Sequence, residues 1–234
     1  MCNFPDIQYT NKFEPLSGNI LPEGPRTMFN LICSKGFLNN NYLIDNGIIN
    51  MTKLEEVIVN KIKNCKENIY ASNNQLLEIF CLIQIWGGMS GRNIFVMGDG
   101  LKWEKIAGAY KQLVVSCINT PVPGPNENPL VIAKNSIENI NKAIEAFYYD
   151  ENVHNISTSF ITKHTRFWLC MNIPNNPLPI YDSTFANRLM GRAGVYLRNL
   201  KQYWNCMIDK AEEKGVSLLA LERQLFIYYQ NHPQ

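Results

Sequence analysis

Apolar residues recur at helical spacing along most of the chain. In the segment 52–66, Leu54, Val57, Ile58 and Ile62 fall on one face, with Lys and Glu between them. Spacing of three and four residues predicts an amphipathic α-helix, and the alternation typical of strands is scarce. We therefore expect an all-α fold. The segments predicted to be helical are 27–38, 52–66, 73–86, 101–117, 136–148, 155–170, 182–191, 195–214 and 217–229.

Turn-forming residues divide this helical pattern. The first 26 residues are rich in Pro, Gly and Asn, which predicts an extended arm or irregular cover. The strongest linker signal is Pro-Val-Pro-Gly-Pro at 121–125. We predict an N-terminal arm over 1–50, a first helical lobe over 51–120 and a second over 121–234, with a cleft between the two lobes. The alternative is one compact domain.

Composition excludes several classes of protein. The chain has 234 residues, 46% hydrophobic and 18% charged, a balance typical of globular proteins. We expect no membrane-spanning helix, because no stretch approaches 18 apolar residues, and the N-terminus does not resemble a signal peptide. The seven cysteines are scattered and the histidines number three, which favours a reducing, cytoplasmic location without metal or other cofactor.

The distribution of charge is more informative than the net charge of +2. The window 153–201 contains six Lys and Arg residues and one acid, a net +5, so the remainder of the chain carries −3. A basic region in a near-neutral protein is typical of a phosphate-binding face. A solvated helical surface is the alternative interpretation of the same window.

Two short motifs lie inside this basic window. The first is Ser-Phe-Ile-Thr-Lys, ending at Lys163, and the second is Leu-Pro-Ile-Tyr-Asp, ending at Asp182. Asp182 stands at the N-cap position of a predicted helix. A helix, a proline-rich turn and the start of a second helix can fold these two side chains into one cleft.

These motifs resemble those of the helix-hairpin-helix DNA glycosylase superfamily, in particular its 8-oxoguanine glycosylase branch. Phe-Ile-Thr-Lys163 is similar to the Phe-Phe-Thr-Lys of a bacterial group with that fold, and Pro-Ile-Tyr-Asp182 fits its Pro-hydrophobic-x-Asp turn. Segment 221–226, Leu-Glu-Arg-Gln-Leu-Phe, resembles the closing helix of that group. The glycine-rich hairpin of the family is replaced by Asn-Val-His-Asn-Ile-Ser-Thr at 152–158, so the hairpin is degenerate.

The resemblance implies a mechanism. Neutral Lys163 attacks the anomeric carbon of an extruded nucleotide, displaces the base and forms a Schiff base to the sugar. The chemistry requires a free amine, so we expect the pKa of Lys163 to be lowered by the helix N-terminus and by its apolar neighbours. Asp182 would stabilise the sugar cation and orient the nucleophile. β-Elimination can then nick the strand.

Further residues are candidates for contacts to DNA and to the extruded base. Without hairpin glycines, backbone amides cannot approach a phosphate in the same way, so DNA anchoring at 152–158 is either altered or made by side chains. Arg92 and Asn93 either line the minor groove or cap their loop. His164 is expected at the surface or facing DNA. Aromatic side chains would either stack on the base or pack in the core. The predicted DNA-binding set is Arg92, Asn93, His154, Asn155, Ser157, His164, Arg166, Arg188 and Arg192, and the base-pocket set is Trp86, Phe226 and Tyr229.

Three functions are compatible with these observations. The first is a monomeric DNA glycosylase and AP lyase that acts on double-stranded DNA with a damaged base, 8-oxoguanine by resemblance. The second keeps the chemistry but removes unusual modified bases from foreign, phage-type DNA as a defence. The third is a helical DNA-binding module without catalysis. All three place the protein in the cytoplasm, associated with the nucleoid when bound to DNA.

Overall fold

A computed structural model describes residues 2–12, 18–66, 73–191 and 196–232. Within these ranges the chain is helical and contains no strand, which confirms the all-α prediction. Two 3₁₀ turns, Met89–Gly91 and Leu197–Asn199, accompany the helices. The α-helices are α1 Glu23–Ser34, α2 Tyr42–Asp45, α3 Met51–Lys66, α4 Asn73–Gly87, α5 Asn93–Val96, α6 Trp103–Ile118, α7 Pro129–Tyr148, α8 Thr158–Leu169, α9 Ser183–Met190, α10 Leu200–Lys214 and α11 Leu218–Asn231.

Two helices begin earlier than the hydrophobic pattern predicts, and proline accounts for both differences. Helix α1 starts at Glu23 rather than at position 27, and α7 starts at Pro129 rather than at 136. Proline is tolerated in the first helical turn, where its missing N–H has no intrahelical role. The Asn128 side chain also caps α7 by accepting a hydrogen bond from the Leu130 N–H. Proline in each first turn was taken as a sign of irregular structure, so the sequence pattern placed both helix starts too late.

Helix α8 lies at the centre of the structure and packs against α4, α6 and α7. Ten of its twelve residues are buried. Ser157 caps its start by accepting a hydrogen bond from the Phe160 N–H. A buried hydrophobic cluster extends continuously from α1 to α11. The division into an arm and two lobes stays a prediction.

The turn between α8 and α9 is held by α10. The Tyr203 hydroxyl donates to the Ile180 carbonyl at 2.8 Å, and the Trp204 Nε1–H donates to the Pro179 carbonyl at 2.9 Å. Helix α9 then begins at the predicted cap Asp182 and ends at Gly191, whose φ of 62° is left-handed. The position of Asp182 is therefore fixed from both sides of the turn.

The N-terminal segment 2–12 is irregular, as predicted, and it is attached to the C-terminal helices. Cys2 forms a disulfide with Cys206 of α10, a pairing that the scattered cysteines and the reducing location expected from them did not suggest. The Asn3 N–H donates to the Leu189 carbonyl at 2.7 Å. Thr10 and Gln224 of α11 exchange hydrogen bonds. The pairing was not evident in the sequence because 204 residues separate the two cysteines.

None of the helices described here is both long and apolar enough to cross a membrane.

Candidate active site

A cavity of about 230 Å³ lies where α4, α8, α9 and α11 meet. It brings Lys163 and Asp182 to the same concave surface, although the two residues belong to different helices. Apolar, aromatic and charged side chains share its wall. The residues lining it are Met51, Trp86, Gly87, Lys163, Arg166, Ile180, Asp182, Phe185, Glu222, Arg223 and Phe226.

Lys163 occupies the second turn of α8 and is largely removed from solvent. Its Nζ lies 3.9 Å from the centroid of the Phe160 ring. Burial lowers the pKa of Lys163 to about 8, and the nearby charge of Asp182 opposes part of this shift. Desolvation disfavours the ammonium form, so a substantial fraction of the amine is neutral near physiological pH. A neutral amine is a nucleophile.

Two glycines make room for the ring of Phe160, and the Lys163 amine packs over the face of that ring. A Cβ at Gly87 or at Gly91 would overlap the Phe160 ring, and a Cβ at Gly87 would also lie 3.3 Å from Cδ of Lys163. The helix break at 87–91 therefore packs against the nucleophile's helix. The packing role of these two glycines was not predicted from the sequence.

Asp182 combines a structural role with its place in the cavity. Its carboxylate accepts a hydrogen bond of 3.1 Å from the Phe185 N–H and so caps α9. A carboxylate at a helix N-terminus is stabilised in its ionised form by the cap hydrogen bond and by the helix dipole. The site therefore holds a fixed negative charge close to a partly neutral amine.

Glu222 joins three segments around the cavity. One carboxylate oxygen accepts the Nε–H of Arg166 of α8 at 2.9 Å. The other accepts the backbone N–H of Ile180, in the turn before Asp182, at 2.6 Å. Because Glu222 and Arg166 are both buried, the pair neutralises two charges that would be costly alone. Glu222 was not predicted as a site residue, because it lies beside Arg223 and Gln224 in a helical segment where a charged residue is usually solvated.

Arg166 is therefore not the DNA-facing residue that its place in the basic window predicted. It is only 5% exposed, forms part of the cavity wall and is ion-paired with Glu222. The i, i+3 spacing from Lys163 places it on the same inward face of α8, which charge counting along the sequence does not reveal.

His164 is also wrongly predicted, because it is fully buried rather than facing DNA. Its two ring nitrogens lie 3.1 Å from Gln84 Nε2 and 2.9 Å from the Tyr110 hydroxyl, and its ring stacks on Phe80. Burial, together with the charge of Lys163, lowers the pKa of His164 to about 3. His164 is a neutral core residue that anchors α8 to α4 and α6.

Replacing His164 by glutamine should make the stability of the protein less dependent on pH. Between pH 6.5 and 3 the unfolded chain protonates His164 and the folded chain does not, so stability falls as the pH falls. The expected contribution is about 2 kcal/mol lost between pH 6.5 and pH 5. Urea unfolding at pH 7 and pH 5 measures it, with His232→Gln, an exposed histidine, as the control. Equal pH dependence in both variants would contradict a buried neutral His164.

The three predicted base-pocket aromatics separate into two groups. Trp86 and Phe226 line the cavity, and the Trp86 Nε1–H donates to Glu55 at 3.0 Å, which fixes its ring. Tyr229 does not line the cavity: it is buried against Phe185, with ring centroids 6.1 Å apart. Its ring contacts that of Phe185 of α9, which itself lines the cavity.

The predicted DNA-binding residues outside the cavity lie mainly in two exposed places. Arg92 and Asn93 are exposed at the start of α5, and the Arg92 side chain makes no capping hydrogen bond. Arg188 instead donates to the Tyr229 and His232 carbonyls at the end of α11. Arg192 lies outside the described residues.

The loop before α8 contains the other exposed candidates. His154, Asn155 and Ser157 are exposed, and Ser157 is used as the cap of α8. Asn155 has a left-handed φ of 62°, a conformation that glycine adopts most readily. His154 and Asn155 also border a cavity of about 630 Å³, and Lys102 and Lys105 are among the other residues that line it. The loop thus makes a sharp turn without glycine.

No cluster of three or more His, Cys, Asp or Glu side chains is placed to hold a metal ion in the parts of the chain that the structure describes. The chain matches no family model, no curated protein and no solved structure. The geometry of the cavity around Lys163 and Asp182 therefore carries the functional argument.

Proposed function

We propose that this protein is a DNA glycosylase with AP lyase activity, in which Lys163 is the nucleophile and Asp182 its acidic partner. The observation that carries the proposal is a lysine with a pKa of about 8 and a carboxylate in one small cavity. Trp86 and Phe226 supply aromatic surface on which an extruded base can stack. The resemblance of the two motifs to the 8-oxoguanine glycosylase branch supports the same assignment.

The proposed reaction begins with the neutral amine of Lys163. Its nitrogen lone pair forms a bond to C1′ as the N-glycosidic bond breaks. The base leaves with the electron pair of the broken glycosidic bond and takes up a proton. Asp182 stabilises the positive charge that develops on the sugar. Opening of the sugar ring gives a Schiff base between Nζ and C1′, and loss of a C2′ proton expels the 3′ phosphate by β-elimination.

The loop 149–157, which leads into the helix of Lys163, supports a role in binding the DNA backbone. It connects α7 to α8, as the hairpin of the proposed superfamily does, and Asn155 gives it a left-handed turn. Exposed His154 and Asn155 can replace the glycine-flanked amides as phosphate contacts. The loop lacks the glycines of the superfamily hairpin, but its side chains can still contact phosphates. Double-stranded DNA is the proposed partner.

A panel of duplexes tests the function and its alternatives together. The panel contains 8-oxoguanine, an abasic site, unmodified DNA and bases with bulky modifications found in phage DNA, and base release is measured by strand cleavage with and without alkali. We expect release of 8-oxoguanine and cleavage at the abasic site without alkali. Release of only the phage-type bases would assign a defence role, and binding without release or cleavage would contradict the proposal in favour of a non-catalytic module.

The rate of the lysine chemistry should rise with pH until the amine is deprotonated. Because the pKa of Lys163 is about 8, the rate of covalent adduct formation should increase about tenfold per pH unit below 8 and level off above it. Borohydride trapping on an abasic duplex from pH 6 to 9.5, at saturating enzyme, measures this profile. A rate that does not change across this range would contradict a lysine nucleophile with a lowered pKa.

A further inference from the structure

The segments that carry Lys163 and Asp182 are joined by a direct hydrogen bond. The Thr162 hydroxyl accepts the backbone N–H of Tyr181 at 3.0 Å. Thr162 directly precedes Lys163, and Tyr181 directly precedes Asp182. A single interaction therefore connects the residues next to both members of the proposed catalytic pair.

The geometry of the hydroxyl is fixed from both sides. Its own proton is donated to the Ser159 carbonyl at 2.9 Å, one turn earlier in α8, so its oxygen is oriented to accept from the α8–α9 turn. Thr162 is fully buried and Tyr181 is 1% exposed. Water cannot readily replace a partner there, and a buried N–H that loses its acceptor is costly.

We propose that Thr162 is a positioning residue that sets the separation of the Lys163 amine and the Asp182 carboxylate through its hydrogen bond to Tyr181. This inference rests on the proposed function for its catalytic consequence. Thr162 itself touches neither the substrate nor the reacting atoms, since it does not line the cavity. A small displacement of two reacting groups can reduce a rate far more than it reduces stability.

The fold offers reasons to expect that a Thr162 variant still folds. Glu222 provides a second connection between α8 and the turn, through Arg166 and Ile180. Tyr203 and Trp204 hold the same turn from α10. Loss of the Thr162 hydroxyl therefore loosens the position of Asp182 without releasing the turn.

Thr165 supplies a matched control in the same helix. It is fully buried like Thr162, but its hydroxyl donates only within α8, to the Thr162 carbonyl at 2.9 Å. Thr162→Val and Thr165→Val remove the same atom from the same environment. Only Thr162→Val removes a hydrogen bond to the turn that carries Asp182. Thr162→Ser keeps the hydroxyl and therefore that hydrogen bond.

The kinetic test compares these three variants with the wild type under single-turnover conditions on an abasic duplex. We expect Thr162→Val to lower the rate of borohydride-trappable adduct formation about tenfold or more at saturating enzyme, with the Kd for the duplex unchanged. Thr162→Ser and Thr165→Val should stay within about twofold of the wild type. Equal rates in all four proteins, or equal losses in the two valine variants, would overturn the inference.

The pKa of Lys163 is a second readout of the positioning role, and it does not require activity. If the wild type forms no adduct, the proposed function is contradicted, but the positioning role can still be tested. The charge of Asp182 raises the pKa of Lys163 against the effect of burial. A looser Asp182 should therefore lower the Lys163 pKa in Thr162→Val, but not in Thr162→Ser or Thr165→Val. NMR titration of isotope-labelled lysine side chains, with the Lys163 signal assigned by Lys163→Met, measures it. An unchanged pKa in Thr162→Val would overturn the inference.

Discussion

Replacing Lys163 by methionine is expected to abolish the covalent adduct with an abasic duplex and to lower base release at least about a thousandfold. The amine supplies both the bond to C1′ and the Schiff base, and no other group lining the cavity can replace both functions. Methionine keeps the length of the side chain and removes the cost of burying an ammonium group, so the variant should fold at least as stably as the wild type. Borohydride trapping and single-turnover base release measure the two losses.

Lys53→Met is the matched control for this variant. Lys53 is an exposed lysine on α3, and its Nζ forms a surface ion pair with Glu56 at 2.6 Å. The Lys53→Met substitution should leave both adduct formation and base release unchanged. Wild-type rates in Lys163→Met, in a preparation free of host glycosylases, would refute the nucleophile assignment.

Replacing Asp182 by asparagine should lower the single-turnover rate about 100-fold while leaving the free energy of unfolding nearly unchanged. Asparagine caps a helix as well as aspartate does, so the hydrogen bond to the Phe185 N–H can be kept. What is lost is the negative charge that faces the sugar cation and the Lys163 amine. Urea unfolding and trapping kinetics separate the structural from the catalytic contribution.

The same variant has a distinctive effect on pH dependence. Because the Asp182 charge raises the pKa of Lys163, its removal should shift the inflection of the pH–rate profile from about 8 to a lower pH. A general loss of stability would lower the rate without moving the inflection. Asp182→Ser, which retains a cap but no carboxylate, should behave in the same way. An Asp182→Asn variant as fast as the wild type, with an unmoved inflection, would show that the carboxylate serves only as a cap.

The local features of the site were predictable from the sequence. Helical periodicity indicated the all-α fold, and an aspartate at the start of a predicted helix, after a proline-rich turn, indicated that Asp182 caps α9. The short distance along the chain between Lys163 and Asp182 indicated that one helix and one turn could bring them together. Each of these predictions depends on residues fewer than about 20 positions apart, where backbone geometry restricts the possible arrangements.

Features that depend on distant parts of the chain were not predictable. Arg166 appeared to belong to a basic surface because its partner, Glu222, lies 56 residues away. His164 appeared exposed beside a lysine because its partners, Gln84 and Tyr110, come from α4 and α6. A charged or polar residue in a helix is usually solvated, and only the packing of the other helices reveals when it is buried with a partner.

Identification of the modified residue tests the central claim most directly. The borohydride-reduced adduct of the full-length protein with an abasic duplex is digested with protease and nuclease, and the peptide that carries the sugar remnant is sequenced by mass spectrometry. We expect the remnant on Nζ of Lys163 and on no other amine. A remnant on another lysine or on the N-terminal amine, or base release that proceeds without any trappable adduct, would contradict the account.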